Sequence, residues 1–186
     1  MKFWTIQTKN VEKIICDKGI YQPMFSDSRY LKINDNLNSL YSILLHAFNK
    51  VNGTDLPGVV YAFAKKNEGK ICSIETIEDF KEFIKNNQNV LDGFWKMLDK
   101  DNSVIIELNY EDDFNPIYID INDFQFLMPP VLRLPPYTEK SISRILNDIE
   151  NGKITESEFP SNVIQAHLPN IKKSNVVNIY QIFDLD

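Results

Sequence analysis

Gln165 and His167 lie two residues apart in the run IQAHLP, a spacing that on an extended chain sends both to one face and Ile164, Ala166 and Leu168 to the other. An amide and an imidazole side by side line a cleft, or they belong to a solvated sheet face. Near the start of the chain, FWTIQT carries Trp4, Thr5 and Gln7. A flat ring with a hydroxyl and an amide suits a planar amide or a base edge, and the same residues serve equally well as scaffold whose polar groups satisfy their neighbours. Glu107 in VIIELNY shares a strand face with Ile105 and Asn109. Buried, it would be a carboxylate placed to move a proton; partly solvated, it is an ordinary strand residue.

Other polar residues have plainer roles. Glu111, Asp112 and Asp113 lack the spaced ligands and central glycine of a calcium loop and read as a wet turn. Asp120 and Asp123 flank a helix start, and capping accounts for Asp123 or its neighbour Asn122 without any catalysis. His46 points away from the apolar stripe of its helix and reads as a surface residue. Cys16 and Cys72 are the only cysteines and the two histidines are far apart, so no metal site is expected and the thiols should be reduced and partly buried. GxSxG, HExxH, GxGxxG and phosphate-loop patterns are absent.

The elements that must position these residues follow from periodicity. With 186 residues, 43% of them hydrophobic and 25% charged, the chain suits a single globular domain spanning 1–186. A net charge of -6 and a pI near 5.0 argue against a broad basic surface, leaving nucleic acid at most a local groove. The chain opens without the apolar core of a signal peptide and holds no run long enough to cross a bilayer, so a cytoplasmic protein without a membrane partner is expected.

Phe3–Gln7 reads as a strand, followed by a helix over Val11, Ile14 and Ile15 that starts at Thr8, ends at Gly19 and packs on that strand. Leu37, Leu40, Tyr41, Leu44, Leu45, Phe48 and Val51 form the core stripe of a longer helix over about 35–51. Gly58–Lys65 and Ile71–Ile74 read as strands joined by the turn Asn67-Glu68-Gly69-Lys70. Thr76 with Asp79 forms a capping box ahead of Phe80, Phe83 and Ile84, and a short helix holds Leu91, Phe94, Trp95 and Leu98. Val104–Tyr110 and Pro116–Ile121 look like strands with the acidic turn between them, and a short helix from Asn122 should end before Pro129. MPPVLRLPPYT, Met128–Thr138, is not regular structure and reads as a loop, an extended binding strand or a hinge; with Phe124 and Phe126 it is a sticky surface or core that the prolines lead away from. A helix over Ile142, Ile145, Leu146 and Ile149 stops at Gly152, and Asn162–Leu168 and Val176–Phe183 close the chain as strands. The mixture lacks strict strand–helix alternation, so the expected class is α+β with a mixed, largely antiparallel sheet and flanking helices.

FWTIQTKNVEKIICDKGIY, SVIIELNYEDDFNPIYIDINDFQFL and IQAHLPNIKKSNVVNIYQIF, in that order, resemble an uncharacterised bacterial family that opens on an aromatic-Thr-Ile-Gln strand. More distantly, the two ends are similar to the ADP-ribosyltransferase superfamily of the DNA-modifying toxin type. There an opening strand with aromatic, His and Thr leads to a helix ending at Gly and holds nicotinamide adenine dinucleotide (NAD), and a late strand supplies a glutamate. Thr5 stands where that histidine would be, and His167 where the glutamate would be, with Gln165 beside it. The resemblance implies a split sheet, NAD as substrate, Trp4, Thr5 and Gln7 as its binding residues, and Gln165 and His167 as catalytic residues. A histidine supplies no fixed negative charge for the departing nicotinamide. This arrangement requires the Phe3–Gln7 strand to lie beside the Ile164–Leu168 strand.

Two functions follow as expectations. One is a nucleotide-like-ligand-binding protein that transfers ADP-ribose to nucleic acid or protein. The other is a non-enzymatic phage or mobile-element factor that binds a host or defence protein through an acidic surface around Asp112 and Asp113. A third reading, an enzyme with Glu107 as base, needs a cleft at that strand.

Overall fold

The computed structural model describes residues 1–27, 35–111, 114–123 and 138–185. The chain runs β1 (Lys2–Thr8), α1 (Lys9–Lys18), β2 (Ile20–Tyr21), α2 (Asp35–Asn52), β3 (Val60–Asn67), β4 (Lys70–Cys72), α3 (Ile77–Asn86) and α4 (Gln88–Lys96). It continues through β5 (Ser103–Asn109), β6 (Ile117–Asp120), α5 (Glu139–Glu150), β7 (Val163–Leu168), β8 (Ile171–Lys172) and β9 (Val176–Gln181). The fold is α+β. Seven strands form one sheet in the order β6-β7-β3-β1-β5-β9, with β4 folded back on β3, and β2 pairs with β8 in a separate ribbon; every ladder is antiparallel.

Local signals set the element ends. The Thr8 hydroxyl accepts from the Val11 N–H, and α1 closes on Gly19 in the left-handed region at φ 76°, where its N–H reaches the Ile15 carbonyl. Thr76 and Asp79 exchange both bonds of the capping box. Glu68 and Gly69, at φ 48° and 75°, make the tight turn that joins β3 to β4. Of the expected α2 stripe, Tyr41, Leu44 and Phe48 are buried and Leu45 and Val51 partly so; Leu37 and Leu40 lie outside the described side chains.

Alternation along the strands divides the packing between two faces. One face carries Phe3, Ala62, Ile106 and Ala166 and is covered by α1 through Val11 and Ile15, and by Ile171. The opposite face carries Trp4, Phe63, Ile105 and Val163 beneath the aromatic side chains of α3 and α4, Phe80, Phe94 and Trp95. Further along this second face, Tyr61, Ile117 and Ile119 meet α2 and α5 through Tyr41, Phe48, Ile145 and Ile149.

β5 and β6 depart from the sequence expectation in their relation to each other. They are consecutive in the chain, yet β5 pairs with β1 and β9 while β6 pairs with β7 at the far edge of the sheet. β5 and β6 therefore do not form a hairpin with each other, and Asp112 and Asp113 between them lie outside the described residues. Of the helix expected from Asn122, only Asn122 and Asp123 are described, in a turn; Phe124, Phe126 and the proline-rich segment up to residue 137 lie outside the described residues. Cys72 is partly buried, whereas Cys16 is exposed on α1, and both thiols are free. No described helix is long and apolar enough to cross a membrane.

Candidate functional site

Direct cross-strand partners share a sheet face, so the ladders place every candidate side chain. Glu107, Trp4, Phe63, Gln165 and Ile119 form one transverse row. Tyr61, His167 and Ile117 form the next row on the same face. Thr5 and Gln7, one residue out of phase with Trp4, belong to the α1 face. The structure therefore keeps Gln165 and His167 together and separates them from Thr5 and Gln7. It also places β3 between β1 and β7, a gap of two strand spacings, about 10 Å.

The opening strand is occupied by internal partners. Trp4 is wholly buried, stacked on Phe80 at 4.9 Å and 7° with Tyr180 at 5.9 Å, and its Nε1 donates to the Ile74 carbonyl at 2.7 Å. The Thr5 hydroxyl donates to the Tyr61 carbonyl at 2.6 Å and accepts from Gln7 Nε2 at 2.8 Å. These bonds are those of a scaffold strand. Glu107, 5% exposed, accepts from Lys2 Nζ at 2.8 Å and from the Tyr180 hydroxyl at 3.0 Å. The bond to Glu107 raises the Lys2 pKa, and burial followed by the same carboxylate raises that of Tyr180. Glu107 thus holds the strand ends together.

β7 is different, because all six of its residues are buried. Helices cover the face that alternation alone leaves as either cleft or solvent. His167 is 0% exposed, its ring edge-on to Tyr61 at 4.9 Å, and neither Nδ1 nor Nε2 has a hydrogen-bond partner among the described residues. Burial lowers its pKa from the ordinary 6.5 to about 3, so the ring is neutral at pH 7. Beside it, burial and then the neighbouring Tyr41 push the Tyr61 hydroxyl well above its usual range. Thr155 bridges to Ile119 and, wholly buried, adds a hydroxyl without a partner among the described residues. A cavity of about 410 Å³ opens at the β6 edge between the C-terminal ends of α2 and α5, walled by Val51, Ile117 and Ile149 and rimmed by Asn115, Glu150 and Lys153. Ile117, in this wall, is the residue opposite His167 in the ladder.

A second polar group sits where β3, β6 and the loop before β7 meet. Asp120, 0% exposed, accepts from the N–H of Ser161 at 2.8 Å, the Ser161 hydroxyl at 3.0 Å and the Asn122 N–H at 3.0 Å, with Lys66 Nζ 3.7 Å away. Arg144 on α5 bonds Asp123 at 2.5 Å, which raises its pKa, and donates to the Glu156 carbonyl at 2.7 Å. The capping role expected of Asp123 or Asn122 concerns a helix whose body lies outside the described residues, and the bonds of Asp120 are to the turn and the loop before β7. The partnership of Asp120 with Lys66 and Ser161, and of Asp123 with Arg144, is not legible in the sequence, because it arises only when distant segments meet. His46 is exposed, as its position on the helical wheel indicates.

Set against known proteins, the chain matches no family model, and no solved structure matches it.

Proposed function

We propose that the protein binds a small nucleotide-like ligand from the α2–α5 cavity, with the planar, hydrogen-bonding part of the ligand directed at His167 and Gln165. The observation that carries this reading is the wholly enclosed, neutral His167 with both ring nitrogens unbonded among the described residues. A neutral imidazole offers one donor and one acceptor, and leaving such groups unpaired costs about 1–3 kcal/mol each. A ligand amide or base edge recovers that cost. The cavity volume falls in the range of small-molecule sites, and Lys153 at its rim supplies a cation for a phosphate. Ile117 stands between cavity and imidazole, so the bound state requires this side chain to turn aside.

Transfer of ADP-ribose is the reaction that the distant resemblance adds; with β3 between β1 and β7 it would rest on the β7 residues alone, without the adjacent opening strand of that arrangement. Gln165 and His167 would then orient the sugar, and NAD would be the substrate. Trp4, Thr5 and Gln7 play no part in the proposed site, given their bonds within the sheet. Titration with nicotinamide, AMP and NAD by calorimetry tests the reading. Saturable binding is expected, weakened at least tenfold by His167→Leu and changed less than twofold by Thr5→Val. Absence of heat with all three compounds at millimolar concentration, or equal affinity in the His167→Leu protein, would refute it. Labelled NAD offered with DNA and protein acceptors tests transfer separately.

A further inference from the structure

Phe159 is 79% exposed, the most exposed large hydrophobic side chain among the described residues. Single exposed apolar residues are common and need no explanation by themselves. Here, however, the surrounding loop is held at both ends. Arg144 Nη1 donates to the Glu156 carbonyl at 2.7 Å, and the Phe159 N–H donates to the Ser157 hydroxyl at 3.1 Å. Asn122 Nδ2 donates to the Phe159 carbonyl at 2.8 Å. Ser161 is fixed through two bonds to the fully buried Asp120. The ring is thus projected from a braced backbone, and little conformational freedom remains for a partner to remove.

The charged residues of the loop itself, Glu156 and Glu158, are both acidic, with Lys66 and Arg144 against the Glu156 end only. Glu158 is exposed with no ion pair among the described residues, and Glu156, 65% exposed at its side chain, has only Lys66 at 3.5 Å. Pro160 follows the ring and stiffens its exit. A fixed aromatic bordered by carboxylates complements an apolar pocket rimmed by Lys or Arg, the arrangement of an interface anchor inside a polar rim. Such flanks are repelled by an anionic lipid surface. We propose that the loop Glu156–Ser161 is a protein-docking element, with Phe159 as its anchor and Glu158 and Glu156 as its charge selectors, for a partner presenting a basic-rimmed apolar pocket. This surface is distinct from the α2–α5 cavity and does not depend on what that cavity binds.

The test uses the full chain, immobilised, and a random disulfide-cyclised peptide display library as the probe. Selected peptides are expected to combine Lys or Arg with an apolar cluster and to bind more weakly as salt rises. They should lose at least tenfold in affinity for Phe159→Ala and for Glu158→Lys, and stay within twofold for Lys18→Ala on α1. Because Phe159 is exposed, Phe159→Ala should melt within about 1 °C of the parent, which separates lost docking from lost folding. Failure to enrich any peptide, enrichment of peptides without basic residues, or equal binding to Phe159→Ala would overturn the proposal. So would Phe159-dependent sedimentation with phosphatidylcholine vesicles, which would identify a lipid anchor instead.

Discussion

At the scale of the residue, His167 couples folding to pH. Its pKa near 3 in the folded chain lies below the 6.5 of an unfolded histidine, so between these values the unfolded state binds the extra proton. The contribution to stability is complete above about pH 6.5 and is lost as pH falls, at up to about 1.4 kcal/mol per pH unit in the steepest part of the window. Urea unfolding of the parent and of His167→Leu at pH 7, 6 and 5 checks this: the parent should lose more stability than the variant over the same interval. The shared face of Gln165 and His167 was legible because alternation in a strand is strict. Their burial was not, since nothing within IQAHLP indicates that α2 and α5 cover that face. Trp4 presents the reverse case. Its ring chemistry suits a ligand, but Phe80 and Ile74, some 70 to 76 positions away in sequence, already use it.

At the scale of the element, the signals that proved readable are those whose cause is local. The capping box at Thr76 and Asp79, the Gly19 terminus and the Glu68-Gly69 turn each depend on a few adjacent residues. Thr76→Ala should remove the hydroxyl that accepts from the Asp79 N–H and lower stability by about 1 kcal/mol, read as a reduced urea midpoint with unchanged slope. The ribbon of β2 and β8 could not be read in the same way. Two-residue strands carry no periodicity, and Ile20 and Tyr21 meet Lys172 and Ile171 only through long-range pairing. The same reason underlies the separation of β5 from β6, whose compositions favour strand without specifying a neighbour.

At the scale of the whole molecule, the class was legible and the wiring was not. A mixture of helical stripes and alternating strands without regular alternation gives an α+β fold, which the antiparallel seven-stranded sheet is. Strand order decides which residues the proposed site can use. Placing β3 between β1 and β7, with Thr5 and Gln7 facing α1, removes the opening strand from the proposed site and leaves His167, Gln165 and the cavity beyond Ile117 as its substance. The most direct measurement is two-dimensional NMR of the histidine ring nitrogens and carbons at pH 7, before and during titration with NAD and nicotinamide. The account predicts a neutral His167 whose ring resonances shift saturably with ligand, accompanied by Gln165 side-chain amide shifts, while His46 and the Trp4 indole stay in place. A His167 spectrum unmoved at saturating ligand, or ligand shifts centred on Trp4, Thr5 and Gln7, would contradict it.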